Sequence, residues 1–282
     1  MKLPSRFWSD LTTRQFAQLA AHPDVDQVVA VLPVAAIEQH GPHLPVSVDA
    51  DLVKGVIAAA LPRLSDTLPV LILPTQAIGK SNEHIRFPGT LTLSVQTTIA
   101  LWMDIGASVA RSGIRKLLIF NAHGGQVSVM DIVARDLRTS HDLIVYHSNW
   151  YNPPLLDDQG QPVGRHFSAQ EHRFGIHGGD QETSMMLALN PDRVDMSQAQ
   201  NFRSTSQDRS EQFGLLGNGA TAKLGWQMQD YNPVGAAGNA AAATAAKGQA
   251  LLDAAGRQLA QLLAEISALQ LSTLTPNVRL SD

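Results

Sequence analysis

The sequence predicts an α/β fold, a three-layer sandwich in which a mostly parallel sheet lies between helices on both faces. Two observations lead to this prediction. Apolar runs and helix-like segments alternate along the 282 residues. The apolar runs are continuously hydrophobic, which is typical of strands buried on both faces. No internal repeat or linker interrupts the pattern, so we expect a single domain over residues 1–282.

Four apolar runs are the predicted strands of this sheet. Each contains four or more consecutive apolar residues and is followed by polar or glycine-rich sequence, as expected for a strand that ends at a functional loop. The predicted strands are QVVAVLPVAAI (27–37), PVLILPTQ (69–76), the run at 115–120 that leads into NAHGG, and LIVYHSNW (143–150).

Five segments have helical patterns. Ser94 is a suitable N-cap for the second of them, and Gly113 lies just past its end. The last is rich in alanine but is weakened by Gly248 and Gly256. Residues 151–178 and 190–238 have little periodicity, and a loop as long as the first is usually functional or mobile. The predicted helices span residues 50–61, 95–112, 126–139, 182–189 and about 239–269.

The composition excludes several function classes. The net charge is −4 and there is no basic run, so a nucleic-acid partner is not expected. No apolar stretch reaches 18 residues and no secretory signal is visible, so we expect a cytoplasmic protein without a membrane partner. The chain has no cysteine, so any metal must be held by histidine nitrogen and carboxylate oxygen, a donor set that suits Zn²⁺, Mn²⁺ or Fe²⁺.

Polar side chains follow all four predicted strands. In a parallel sheet, ligands bind beyond the carboxyl ends of the strands, so these side chains are expected to share one rim. Taken singly, each cluster has a simpler explanation: a surface turn, a capping or core histidine at 123, or caps of the helix that starts near 182. In chain order the clusters are Glu38 with His40, Ser81 with Glu83 and His84, Asn121 with His123, and Trp150.

The combination of motifs resembles the creatininase family. The resemblance covers about residues 8–260, with the motifs in the same order and at the same spacing, and the segment 238–252 also follows the family's closing sequence. It implies a creatininase-like fold and a site for two divalent metal ions. The matching motifs are LPVAAIEQHGPHLPVSVDA (32–50), GKSNEHIRFPGTLTL (79–93), FNAHGGQ (120–126) and HGGDQETSMMLALNPDRV (177–194).

The resemblance also implies which residues hold the metals. Asp49 matches a carboxylate that bridges both ions. Creatininase proper has Tyr and a metal-binding Glu after the matching histidine, whereas this chain has Gly124-Gly125-Gln126. The more general family pattern places a Glu before Thr-Ser, which matches Glu182, and Asp180 is the alternative for this fifth ligand. The implied ligands are Glu38, His40, Asp49, His123 and Glu182.

The implied reaction is hydrolysis of an amide by a hydroxide that bridges two metals. His177 matches the family's active-site histidine and would protonate the leaving nitrogen, so His177 and Glu182 are the expected catalytic residues. Ser81 matches a substrate-contacting serine, and His84 and Trp150 are further candidates for substrate binding. Trp150 and Phe174 could close over a flat ring.

The sequence therefore predicts a metal-dependent amidohydrolase that cleaves a C–N bond in a cyclic amide or formamide-type small molecule. Family relatives also include a peptidase that matures the mycofactocin precursor, which remains an alternative. A non-catalytic metal-dependent binding protein is the alternative from another function class. The alanine-rich tail and the low charged fraction leave apolar surface to cover, and family members are often hexamers, so we expect a homo-oligomer.

Overall fold

Four parallel strands form the central sheet of the protein, whose computed structural model describes residues 1–275. They are β1 (Val29–Val34), β2 (Val70–Ile72), β3 (Lys116–Asn121) and β4 (Ile144–Asn149), in the spatial order β2-β1-β3-β4. The chain moves from β1 outward to β2 and then returns to the other side of β1 for β3. This reversal between β1 and β3 creates a crevice at their carboxyl ends, the usual place for a ligand in such sheets.

Helices cover both faces of the sheet, so the predicted three-layer α/β architecture is confirmed. One face packs against α2, α6 and α9, and the other packs against α3 and α4. The helices are α1 (Thr13–Ala20), α2 (Val48–Ala60), α3 (Val95–Arg111), α4 (Val127–His141), α5 (Ala169–Phe174), α6 (Asp180–Leu189), α7 (Ser206–Gln212), α8 (Met228–Tyr231) and α9 (Ala245–Ala268).

The boundaries differ from the predictions where the chain leaves the sheet. The predicted strand 27–37 is shorter, because residues 35–37 already turn into the loop that carries the first site residues. The Ser94 hydroxyl accepts a hydrogen bond from Thr97 N, and Gly113 has φ of +87° just past the helix, which confirms both predicted ends of α3.

The segments expected to be irregular contain short elements. Residues 151–178 include α5, and residues 190–238 include α7, α8 and β5 (Asn201–Phe202), which pairs antiparallel with β6 (Gly238–Asn239). The N-terminal α1 was not predicted, although Thr12 and Gln15 form a capping box there. Residues 276–282 of the predicted domain lie outside the described residues. Among the helices described, none is long and apolar enough to cross a membrane.

Close helix contacts explain the glycines in α9. A Cβ at Gly248 would overlap the backbone carbonyl oxygen of Ser184 in α6 and lie 2.7 Å from Met185 N. A Cβ at Gly256 would lie 2.7 Å from the Ala59 methyl group of α2. The glycines therefore allow α9 to pack against the two helices that carry Asp49 and Glu182.

We expect Gly248→Ala to destabilise the protein although alanine favours helices. Overpacking against a backbone atom costs about 1–3 kcal/mol, which exceeds the gain of about 1 kcal/mol in helix propensity. Urea unfolding would measure the loss in free energy of unfolding. Gly214→Ala is the control, because a Cβ there meets no atom within 4 Å. Equal stability of the Gly248→Ala and wild-type proteins would contradict this account of the packing.

Candidate metal centre

The crevice between β1 and β3 collects the ionisable side chains. The loop after β1 carries Glu38 and His40, and His123 follows β3. Asp49 comes from the first turn of α2, and Glu182 comes from the first turn of α6. Two loops and two helix N-termini therefore converge on one rim of the sheet.

Glu38 lies at the middle of the cluster. Its Oε1 is 3.9 Å from His40 Nε2, 3.5 Å from His84 Nε2 and 3.7 Å from His177 Nδ1. Its Oε2 is 3.3 Å from His123 Nδ1. Glu38 and all four histidines are buried, so the carboxylate faces imidazole rings rather than water.

Asp49 lies between two of these histidines. Its Oδ1 is 3.5 Å from His40 Nε2, and its Oδ2 is 3.2 Å from His123 Nδ1. Each oxygen of one carboxylate thus faces a different ring. This arrangement suits a carboxylate that is shared between two cations.

The donor atoms fit divalent metal ions. His40 donates through Nδ1 to the Glu38 carbonyl oxygen at 2.9 Å, and His123 donates through Nε2 to the Lys80 carbonyl oxygen at 2.9 Å. Such bonds fix the tautomer and leave the other ring nitrogen free as a ligand. Among residues 1–275, His40 Nε2 and Asp49 Oδ2 are buried without a hydrogen-bond partner. Unpaired buried polar atoms are costly, so this geometry favours a bound cation.

The two candidates for the fifth ligand have different surroundings. A Glu182 oxygen lies within 4.8 Å of donor atoms of His40 and Asp49, and Glu182 Oε2 accepts from Gly178 N at 2.6 Å. The Asp180 carboxylate instead accepts from Lys247 Nζ at 2.7 Å and from the Ser184 hydroxyl at 3.0 Å. Asp180 is therefore already paired with Lys247, and the geometry favours Glu182 as the fifth ligand.

Burial and mutual charge set the protonation of the cluster when no metal is bound. Burial lowers the pKa of His40, but the negative charges of Asp49, Glu182 and Glu38 outweigh burial and raise this pKa to about 9. Burial disfavours the charged form of Asp49, yet the neighbouring rings of His123 and His40 bring its pKa down to about 2. Burial raises the pKa of Glu182 to about 7.

Gln39 organises the histidines beyond the metal donors, and our sequence reasoning missed it. Its side-chain amide donates to His84 Nδ1 at 2.8 Å, and its backbone carbonyl accepts from His177 Nε2 at 2.6 Å. The His177 ring lies 4.1 Å from the His40 ring and 4.3 Å from the His84 ring, centroid to centroid. The only sequence signal was the position of Gln39 between Glu38 and His40.

A cavity of about 500 Å³ opens onto the cluster. Trp150 and His84, two of the residues predicted to bind substrate, line it. Ser81 does not; it is fully buried and its hydroxyl donates to the Glu38 carboxylate. Phe174, the last residue of α5, does not line the cavity either.

Two aromatic residues that line the cavity were not predicted. Tyr151 follows Trp150 directly, and its position after a strand was a usable signal. Trp226 comes from the irregular segment after α7 and packs edge-on against His84, with ring centroids 6.1 Å apart. Nothing in the local sequence around Trp226 indicated this contact.

The wall of the cavity is rich in carboxylates. Within the described part of the chain, no lysine or arginine lines it. The carboxylates that line it are Glu38, Asp49, Glu83, Glu171 and Glu182.

Comparison with known proteins gives a consistent result. The family model described as "Creatininase: Creatinine amidohydrolase" matches residues 9–263. Creatinine amidohydrolase of Pseudomonas putida is 34% identical over 206 residues, which are 68% of this chain and 75% of that protein. The mycofactocin precursor peptide peptidase of Mycobacterium tuberculosis (strain CDC 1551 / Oshkosh) is 31% identical over 167 residues, 57% of this chain and 58% of that protein.

Solved structures share the fold. A crystal structure of creatinine amidohydrolase superposes with a TM-score of 0.73 at 26% identity, covering 95% of this chain and 100% of that one. A structure described as "Creatininase Mn" has a TM-score of 0.72 at 26% identity, covering 93% and 98%. The similarity therefore extends over nearly the whole chain.

We expect metal uptake to release protons and to strengthen as the pH rises. Near pH 7 the metal-free protein keeps His40 protonated, because its pKa is about 9. A metal binds only the neutral ring, so binding must displace this proton. The apparent affinity should rise at least about tenfold per pH unit between pH 7 and 9. Calorimetric titration with Zn²⁺ in buffers of different ionisation heat would count the protons, and binding without proton release at pH 7.5 would contradict the assignment.

Proposed function

The chain belongs to the creatininase family, and we propose that it is a metal-dependent amidohydrolase that cleaves a C–N bond of a cyclic amide or formamide-type small molecule. Two buried donor atoms without hydrogen-bond partners, His40 Nε2 and Asp49 Oδ2, carry the proposal. Asp49 lines a cavity whose wall also contains Trp150, Tyr151 and Trp226. Similarity to creatinine amidohydrolase supports the class of bond.

In this proposal two divalent ions, Zn²⁺, Mn²⁺ or Fe²⁺, are held by five residues. Asp49 would bridge them, since each of its oxygens faces a different histidine. Bound divalent ions would lower the pKa of a coordinated water towards about 7 and polarise the scissile carbonyl. The proposed ligands are Glu38, His40, Asp49, His123 and Glu182.

His177 is the proposed proton carrier. Its Nε2 is bonded to the Gln39 carbonyl oxygen, so Nδ1 is the atom that can exchange a proton. Burial, together with the charges of His40 and His84, lowers the pKa of His177 well below 6.5, so the ring is neutral at neutral pH. A neutral His177 can take a proton at Nδ1 from the attacking water and return it to the leaving nitrogen.

The cavity walls suggest how a substrate is held. Trp150, Tyr151 and Trp226 offer flat apolar surfaces, and His84 lies beside Trp226. Ser81, by donating to Glu38, would orient a metal ligand rather than touch substrate. These features favour a small planar amide.

The peptidase activity remains a second candidate, because the mycofactocin precursor peptide peptidase is 31% identical over part of the chain.

We further propose that the chain acts as one domain and as a cytoplasmic homo-oligomer, with a hexamer as the expected size. Exposed leucines at 215 and 216, which are 67% and 60% exposed, are apolar surface that an oligomer could cover.

A substrate panel tests the function. Metal-depleted protein refilled with Mn²⁺ or Zn²⁺ would be assayed on lactams, hydantoins, formamides and short peptides. We expect turnover of a lactam, hydantoin or formamide, loss of activity with a chelator, and loss of both ions and of activity in Asp49→Ala. Turnover of peptides alone would favour the peptidase. Two bound ions without any turnover would favour a non-catalytic binding protein.

We expect His177→Ala to lower kcat about 10²–10⁴-fold on whichever substrate is found, the usual effect of losing a general acid–base group. The content of bound metal, measured by elemental analysis, should not change. His166→Ala is the control, because His166 is an exposed histidine of the same segment outside the cavity. Near-normal kcat in His177→Ala would remove this residue from the mechanism, and a fall in metal content would make it a ligand instead.

A further inference from the structure

Glu83 is a buried carboxylate that the proposed mechanism leaves without a role. It lies in the short 3₁₀ turn Asn82–His84 after β2 and lines the cavity, but its side chain is only 8% exposed. Its Oε1 is buried and makes no hydrogen bond within residues 1–275. Burying a carboxylate oxygen without a hydrogen bond costs free energy, unless a neighbouring group interacts favourably with its negative charge.

The ionisable group that faces this oxygen is the ring of His123. Glu83 Oε1 is 3.2 Å from His123 Nε2, the nitrogen that also donates to the Lys80 carbonyl oxygen. The opposite nitrogen, Nδ1, faces Glu38 and Asp49. A negative charge beside Nε2 favours the tautomer that carries its proton there, and this leaves the Nδ1 lone pair directed at the metal position.

The turn after β3 leaves room for Glu83. A Cβ built on Gly125 would overlap the Glu83 carboxylate and lie 2.6 Å from His123 Nε2. Lys80 ties the two segments together, because its Nζ lies 3.3 Å from Glu83 Oε2 and 3.3 Å from the Gly125 carbonyl oxygen. The Glu83 carboxylate, from the loop after β2, thus occupies the space that a side chain at position 125 would need.

We propose that Glu83 is a positioning residue that orients His123 for metal binding, and that Gly125 lacks a side chain in order to admit the Glu83 carboxylate. The inference rests on the proposed metal centre. It concerns a residue outside the five proposed ligands, acting on one of them through the ring nitrogen that faces away from the metal position.

The affinity for each ion tests the proposal. Metal-depleted wild-type, Glu83→Ala, Glu83→Gln and Gly125→Ala proteins would be titrated with Zn²⁺ against a chromogenic chelator. Loss of a carboxylate that orients a metal-binding histidine typically costs 10–100-fold in metal affinity. We expect that loss for one ion in Glu83→Ala, with the other ion within about threefold of wild type. Glu83→Gln should lose less, because its amide oxygen can still face Nε2.

A double-mutant cycle separates this role from a general loss of structure. Gly125→Ala should weaken the same ion, because the new Cβ would displace Glu83 and would also lie 2.6 Å from His123 Nε2. Glu83→Ala/Gly125→Ala should lose less affinity than the product of the two single losses, because the part of the Gly125→Ala effect that acts through Glu83 is already gone. Glu211→Ala is the matched control, since Glu211 is exposed on α7. Thermal unfolding of the metal-free proteins checks folding; if Glu83→Ala does not fold, Glu83→Gln replaces it in the cycle.

The outcomes are distinct. Wild-type affinity for both ions in the Glu83 and Gly125 variants, or effects that multiply in the double variant, would overturn the positioning role. Failure of the wild-type protein to bind Zn²⁺ would instead overturn the proposed function.

Discussion

The arrangement of side chains at the rim of the sheet depends on compensating the negative charge of buried carboxylates. Glu38, Asp49 and Glu83 are buried around the ring of His123, which each carboxylate approaches to 3.3 Å or less. Each isolated buried charge costs several kcal/mol. The histidines around Glu38 and Asp49 offset part of this cost. His40 and His123 have raised pKa values for this reason, so in the metal-free protein they carry positive charge. A divalent cation can replace those protons without moving the donors, which makes the cluster a preformed metal site.

The backbone brings these carboxylates and histidines together at the rim. Reversal of strand order between β1 and β3 opens the crevice, and α2 and α6 point their N-termini at it. Asp49 and Glu182 sit in the first turns of those helices, where the helix dipole favours negative charge. Glu171 supports the start of α6 from behind, because its carboxylate accepts from Asp180 N at 2.7 Å and from Asn239 N at 2.8 Å. The close approach of α9 at Gly248 then holds α6 in place.

Sequence patterns predicted the parts of this arrangement that are local. Continuous apolar runs marked the four strands, Ser94 and Gly113 marked the ends of α3, and polar residues after each strand marked the rim. The choice between Asp180 and Glu182 was different, because it depends on Lys247 of α9, far along the chain. Gln39 and Trp226 were missed for the same reason: their roles come from contacts with distant segments. The substrate-contacting role expected of Ser81 came from the family resemblance, while its hydrogen bond to Glu38 follows from how the loops pack.

The charge of the cavity constrains what can enter it. Five carboxylates line it, and no lysine or arginine of the described chain does. Two divalent ions would balance about four of those charges, and the Glu171 carboxylate already accepts two backbone N–H groups. An anionic substrate would therefore find no fixed cation other than the metals to receive its charge. A neutral amide, by contrast, can place its carbonyl oxygen toward the metals without leaving a negative charge uncompensated. The aromatic walls add flat contact area without charge. The site as a whole therefore suits a small, planar group that carries no negative charge.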